Sequence, residues 1–401
     1  MVVGVEAQGG VSALQGIDAP QGVEGRQTAP GVGVPGGSAV GWPKEALDTP
    51  ALIVDLDVLD RNVARMAGAF RRAGVGGRPH TKGVKVPALA HRLLAAGAFG
   101  VTCAKVSEAE VMAGAGIRDI LIANEIIGAG KVRRLAHLCT QADVVVAVDS
   151  ATGVLQLAQA AQAAGTSPRV VIEVDVGMER CGVSPGQAVV SLAQQVAAAE
   201  PLRFVGVMGW EGHTAAMPDP ATKGAAIVSA VERLTASAAA CRAAGLPVSI
   251  VSCGGTGTYQ TSAALPGVTE VQAGGGIFGD VYYRDHFHVD HECALTVLTT
   301  VISRPAPAMI VTDAGFKALS SQQGIPQPLG LSPEHVAAVQ LSAEHGRIRL
   351  HQPDTTIKVG DQLEFVVGYS DSTVMLHDVL YAVRGGVVQA VWPIAGRGKF
   401  H

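Results

Sequence analysis

Six short runs along this chain place residues capable of chemistry where a strand gives way to a loop. In Arg78-Pro79-His80-Thr81-Lys82 a lysine stands just past a short apolar run. Desolvation and positive neighbours at such a place lower a lysine's pKa enough for Schiff-base chemistry with an aldehyde. Lys85 competes for that role, but it falls in the helix expected to follow. The run Ser252-Cys253-Gly254-Gly255-Thr256-Gly257-Thr258 follows the strand-like LPVSIV. Its glycines let backbone N–H groups approach a phosphate, and the hydroxyls of Thr256 and Thr258 add donors. A third run, through Gly274, Gly275, Gly276 and Gly279, matches G-x-G-x-x-G on paper. It comes late in the chain and has no acidic residue about 20 positions on to hold a ribose, so a dinucleotide site is discounted and a cofactor loop is kept.

The other three runs offer acids, bases and anion binders. Arg180, in the segment from Glu173 to Gly182, has a planar cation suited to a cofactor ring or a carboxylate. His213, in Trp210-Glu211-Gly212-His213, is placed to serve as a general base at neutral pH. In Tyr369-Ser370-Asp371-Ser372-Thr373 an extended backbone would put Tyr369, Asp371 and Thr373 on one face. Each run taken alone has a plainer explanation: a solvated lysine, an ordinary glycine turn, a surface ion pair, a structural histidine.

These runs need a scaffold, and the pattern from Thr49 onwards supplies one. Short Val- and Ile-rich runs alternate with Ala-rich stretches of helical period, the βαβα signature of a parallel sheet. Strands are expected near 51–55, 99–103, 119–123, 142–148, 169–175, 203–209, 247–252 and 269–272, with a short one at 77–80. Eight or nine such units argue for an α/β fold closed into a (β/α)8 TIM-type barrel, whose active sites lie at the C-terminal ends of the strands. After about residue 288 the rhythm turns to Val, Thr and Ile with turn residues between, which reads as a smaller C-terminal β domain. The expected organisation is an N-terminal extension over 1–42, a barrel over 48–288 and a β domain over 289–401. The first strand after residue 43 is left open between barrel and β domain.

Composition narrows the function class. The 401 residues carry a net charge of −4, with 48% apolar and only 4% aromatic residues. No cationic surplus is available for nucleic acid or an anionic membrane. Apolar stretches are broken well before the roughly 18 residues of a membrane span. Six dispersed cysteines form no CxxC pair and read as reduced thiols of a cytoplasmic protein.

Nine runs in order (TPALIVDLDVLDRNVARM, RPHTKGVK, EVDVGMERCGV, WEGHTAAM, SCGGTGTY, EVQAGGGIFGD, TDAGFKALS, LSAEHGRI and DSTVMLHD) make the chain resemble the D-threonine aldolase and D-serine dehydratase-like family, over about residues 48–395. That family has the alanine-racemase fold, a barrel binding pyridoxal 5'-phosphate (PLP) plus a β domain. The resemblance implies that Lys82 carries the cofactor, that Arg180 faces its ring nitrogen, that the run from Gly255 through Thr258 holds its phosphate with Gly274 and Gly275 at the rim, and that His213 lies beside the substrate hydroxyl. It also implies a homodimer. Many relatives hold a divalent metal, Mn²⁺ or Mg²⁺, on a His-x-Asp or His-x-Cys pair of the β domain. Here the pair reads Tyr369-Ser370-Asp371: the aspartate is kept and the histidine is lost. His345 or His377 is then asked to supply a nitrogen, or else the site is metal-free with Tyr369 as an acid or base. The implied reaction is retro-aldol cleavage of a D-β-hydroxy-α-amino acid such as D-threonine to glycine and an aldehyde. Dehydration to a 2-oxo acid and ammonia, and racemisation by Lys82 and Tyr369, stay open. A barrel that only binds PLP would have no use for polar residues from residues 290–401.

Overall fold

The computed structural model describes residues 39–401. Most of the extension expected over 1–42 therefore lies outside the described residues. Residues 39–42 do not belong to an extension: Ala39 is buried, the Gly41 N–H donates to Val388 O, and the Val388 N–H donates to Trp42 O.

The first strand, β1 (Ala51–Asp55), leads into the 18-residue helix Leu56–Ala73. Asp55 caps that helix by accepting from the N–H groups of Asp57 and Val58, and Gly74 ends it at φ 69°. This is the Asp-in, Gly-out punctuation that satisfies orphan helix-end groups. Then follow β2 (Gly76–Gly77), β3 (Val101–Cys103), β4 (Asp119–Glu125), β5 (Asp143–Val148), β6 (Arg169–Glu173), β7 (Arg203–Met208), β8 (Ile250–Cys253) and β9 (Glu270–Val271). All pair in parallel, in the order β2-β9-β8-β7-β6-β5-β4-β3. The two ends meet through a parallel bridge between His80 and Thr102, with the Thr102 N–H on Pro79 O and the Thr81 N–H on Thr102 O. The eight-stranded sheet thus curls into the expected barrel. Helices such as Pro87–Ala95, Ala151–Ala164 and Pro220–Ala243 return the chain between strands, and their buried residues join the core.

The run 51–55, counted among the barrel strands from its pattern, is not one of them. Strand β1 pairs antiparallel with β10 (Leu295–Ala306) and parallel with β16 (Val379–Arg384), inside the second sheet. Four of its five residues are buried. A near-continuous apolar run fits any strand covered on both faces, so its pattern carries no label for which sheet it joins. The second sheet is completed by β11 (Met309–Thr312), β12 (Gln327–Pro328), β13 (Val336–Leu341), β14 (Gly346–Leu350), β15 (Gln362–Val366) and β17 (Val387–Pro393). Between β15 and β16 the chain makes one helical turn, Ser370–Val374, and this turn faces the barrel mouth. Among the described residues no helix is long and apolar enough to cross a membrane.

Candidate active site

A cavity of about 520 Å³ opens where the C-terminal ends of the barrel strands meet the second sheet. That volume suits a small-molecule ligand. Its wall includes Lys82, Arg180, Gly255, Thr256, Gly257, Thr258, Gly274, Gly275, Tyr369 and Asp371, so ten residues singled out from five separate runs converge on one space.

The lysine loop is built first. Past β2, Pro79 and His80 continue the strand direction, and a tight turn folds the Val84 and Lys85 N–H groups back onto Thr81 O. Lys82 projects into the cavity with its Nζ 5.1 Å from the centroid of the Trp210 ring. The Arg180 guanidinium lies 5.3 Å from the same ring and 3.5 Å from the Glu173 carboxylate. Lys85 is not helical as expected. It precedes the helix at φ 55°, a left-handed conformation that costs a lysine energy. Its side chain is buried away from the cavity wall, with Nζ 5.2 Å from the Phe400 ring.

The glycine loop makes a cradle. Among the described residues the N–H groups of Thr256, Gly257, Gly274 and Gly275 donate to nothing, although all four residues line the cavity. A Cβ on Gly255 would lie 2.8 Å from Trp210 Nε1, one on Gly257 2.9 Å from the Phe287 ring, and one on Gly275 2.6 Å from the Tyr283 hydroxyl. Free N–H groups lined by glycines that tolerate no side chain are what a phosphate requires. The donor expected of the Thr258 hydroxyl is not available, because Thr258 Oγ1 donates to the buried carboxylate of Glu211 at 2.6 Å. Glu211 also takes the Gly254 N–H and the Ser262 hydroxyl, so it braces the loop from behind. Short side chains near a buried carboxylate turn towards it because an unpaired buried charge is costly.

Two expectations are corrected. His213 does not line the cavity: it is exposed on the single 3-10 turn Gly212–Thr214, with its ring against Gly177. The turn sends Gly212 and Ala215 inward and the histidine outward. The segment 369–373 is not extended, so Tyr369, Asp371 and Thr373 do not share a strand face. Thr373 is buried, donating to Leu319 O and Tyr369 O, while Tyr369 and Asp371 reach the cavity from the start of the turn. Asp371 sits so close to the lysine loop that a Cβ on Gly83 would lie 2.0 Å from its Oδ1. Burial raises the Asp371 pKa, and the positive charge of Lys82 opposes that rise. Burial and the nearby Asp371 push the Tyr369 phenol up as well, so it is protonated at neutral pH.

The residues around Asp371 do not fit a divalent metal. Among the described residues no group of three His, Cys, Asp or Glu ligands includes it; the cluster that does form is Glu125, Asp149 and Cys181. The two histidines invoked as substitutes are elsewhere: His345 is exposed, and His377 Nε2 is engaged by Ala318 O. Asp280, the nearest second carboxylate by charge, has both oxygens occupied, accepting from the Tyr283 N–H at 2.7 Å and the Ser370 N–H at 2.8 Å.

Several wall residues escaped the sequence reading. His80 is half-buried beside Lys82, and desolvation holds its pKa well below the usual value, so it is a neutral imidazole. Its Nδ1 accepts the Lys82 N–H at 3.3 Å. The motif RPHTK contained it, and its place at the strand end was the available signal. Tyr282 and Tyr283 carry the Tyr369 ring between them at centroid distances of 5.3 and 5.8 Å. Glu173, read only as part of the Arg180 run, is pushed up to about 8 by burial and by the facing Glu125.

Comparison with known proteins agrees with this geometry. The family described as "Alanine racemase, N-terminal domain" matches residues 54–281, and "Putative serine dehydratase domain" matches residues 294–383. A 3-hydroxy-D-aspartate aldolase of Paracoccus denitrificans (strain Pd 1222) is 38% identical over 90% of this chain and 94% of its own length. A D-threonine aldolase of an Arthrobacter species is 36% identical over 92% and 97%. The crystal structure of D-threonine aldolase from Filomicrobium marinum superposes with a TM-score of 0.87 at 37% identity, covering 90% of this chain and 99% of that one.

Two measurements check the site. In protein incubated with PLP, Lys82→Ala is expected to abolish the visible absorption of a lysine-bound cofactor while Lys85→Ala retains it; the reverse pattern would move the assignment to Lys85. For Glu173 the folded pKa lies above the unfolded one. The folded chain therefore holds a proton that the unfolded chain has lost between about pH 4.5 and 8, and stability falls as pH rises through that window. Melting temperatures of Glu173→Gln measured across pH 5–8 should show a flatter decline than wild type.

Proposed function

The chain belongs to the alanine racemase N-terminal-domain family, its barrel followed by a putative serine dehydratase domain, and on that premise we propose that it is a PLP-dependent lyase cleaving D-β-hydroxy-α-amino acids, D-threonine among them, to glycine and an aldehyde. The relatives named aldolases support this reading. The observation that carries it is the single cavity in which the Lys82 amine, a cradle of unpaired N–H groups and the Tyr369–Asp371 turn meet.

PLP, when bound, withdraws the electron pair left on Cα once a bond to that carbon breaks. The chain's own residues do the rest. Lys82 would supply the amine that holds the cofactor. The N–H groups of Thr256, Gly257, Gly274 and Gly275 would hold its phosphate, and the Arg180 cation would keep its ring nitrogen unprotonated. Cleavage requires the β-hydroxyl to lose its proton as the Cα–Cβ pair moves to Cα and the C–O bond becomes a carbonyl; Cα is then protonated and glycine leaves. With His213 outside the cavity, Asp371 is the base suited to take that proton: burial raises its pKa and so its basicity, while the charge of Lys82 opposes the rise. Tyr369, protonated beside it, is the acid that returns a proton to Cα. No step is routed through Mn²⁺ or Mg²⁺, since the donors at Asp371 do not make a metal site.

The match over 294–383 favours one rival, dehydration of the same substrate class, and the presence of Tyr369 in the same cavity wall as Lys82 favours racemisation. A homodimer and a cytoplasmic location complete the reading; among the described residues the six cysteines are free thiols. Incubation of the PLP-loaded protein with D-threonine tests it. Glycine and acetaldehyde are expected, at a rate unchanged by a chelator. Formation of 2-oxobutyrate would replace the aldolase with the dehydratase, L-threonine or L-allothreonine would indicate racemisation, and loss of turnover with the chelator would overturn the metal-free assignment.

A further inference from the structure

Behind the lysine loop lies a buried carboxylate that the mechanism above leaves unused. Glu108, in the helix Val106–Gly114, is fully buried. Its Oε1 accepts the Thr81 hydroxyl at 2.8 Å, and its Oε2 accepts the Ala104 N–H at 2.8 Å. Thr81, the residue immediately before Lys82, is itself fully buried, with its N–H on Thr102 O at 2.7 Å. Both carboxylate oxygens act as acceptors, which is the pattern of an ionised group. Desolvation raises the Glu108 pKa, and the charges of Lys85 and, more weakly, Lys82 pull it back.

A carboxylate is an expensive way to hold a hydroxyl in a core, since burial of a charge is tolerated only with compensation. Here the compensation is cationic and comes from the loop itself. Lys85 is buried at the loop's end in a strained left-handed conformation, and the Gly396 N–H on Lys85 O at 2.9 Å locks it there. Gly396 in turn packs closely there: a Cβ on it would lie a tight 3.0 Å from Lys85 O. The loop is therefore pinned at both ends, by Glu108 through Thr81 and by the C-terminal segment through Lys85, with the amine of Lys82 between the pins.

We propose that Glu108 is a positioning residue for the reaction: through Thr81 it fixes where Lys82 presents its amine, and its negative charge favours the protonated form of the lysine–cofactor linkage. This rests on the assignment of Lys82 as the cofactor lysine. Glu108→Gln is the decisive variant. The amide keeps an acceptor for the Ala104 N–H, and its NH2 can donate to a Thr81 hydroxyl turned towards Thr102 O, so packing survives while the charge is removed.

The holoprotein is titrated by visible absorbance from pH 5 to 10, and the lysine carrying the cofactor is mapped after borohydride reduction. In wild type the label falls on Lys82. In Glu108→Gln it stays on Lys82, but the pKa of the linkage drops by on the order of one unit, a tenfold change in the protonation constant. Glu108→Asp, which restores the charge, recovers most of that shift. A Glu108→Gln titration superimposable on wild type, with only the melting temperature lowered, would overturn the inference and leave Glu108 a structural carboxylate. Wild-type label on Lys85 would overturn the reading of the site, and this inference with it.

Discussion

The carboxylate of Asp280 joins the two halves of the site. It is fully buried at the end of the barrel sequence, with one oxygen on the Tyr283 N–H and the other on the Ser370 N–H of the β-domain turn. The flanking N–H groups of Val281 and Tyr282 donate to Val367 O and Gly368 O, so backbone pairing extends the same seam. Burial pushes the Asp280 pKa up to about 6 against the pull of the two N–H groups, which leaves it largely ionised at neutral pH. Hydrogen bonds to a buried charge are among the stronger ones, and removing the acceptor leaves two donors unpaired at roughly 1–3 kcal/mol each.

What this seam fixes is distance. Lys82 and the glycine cradle belong to the barrel, Tyr369 and Asp371 to the turn after β15. Gly324 and Gly368 cross so tightly that a Cβ on Gly368 would lie 2.1 Å from Gly324 O. Asp371 arrives against Gly83, where only a missing side chain makes room. Reaction geometry of this kind tolerates little error: a displacement of about 1 Å can cost on the order of 100-fold in rate.

Much of this was legible in the sequence, for reasons that differ residue by residue. The barrel announced itself because strand and helix periods alternate, and the cofactor loops because glycine and lysine stood just past apolar runs. Strand β1 could not be assigned to one sheet from its pattern because a run buried on both faces looks the same in either. The side chains that turned the wrong way, Thr258 and Thr373, did so under local hydrogen-bonding competition from Glu211 and from Leu319 O, partners 47 and 54 residues away in sequence. His213 was a sound choice by type and position, yet one 3-10 turn, below the resolution of any periodic pattern, reversed its direction. Asp280 drew no notice because it closes a glycine run that was read for its glycines.

The most direct test of this account is Asp280→Ala, assayed in parallel for cofactor absorbance and for D-threonine cleavage. On the proposed reading every residue assigned to the cofactor belongs to the barrel, so the lysine-bound spectrum should persist while cleavage falls by on the order of 100-fold. Cleavage at the wild-type rate, with the seam removed, would contradict the claim that the site is completed by docking the Tyr369 turn onto the barrel mouth.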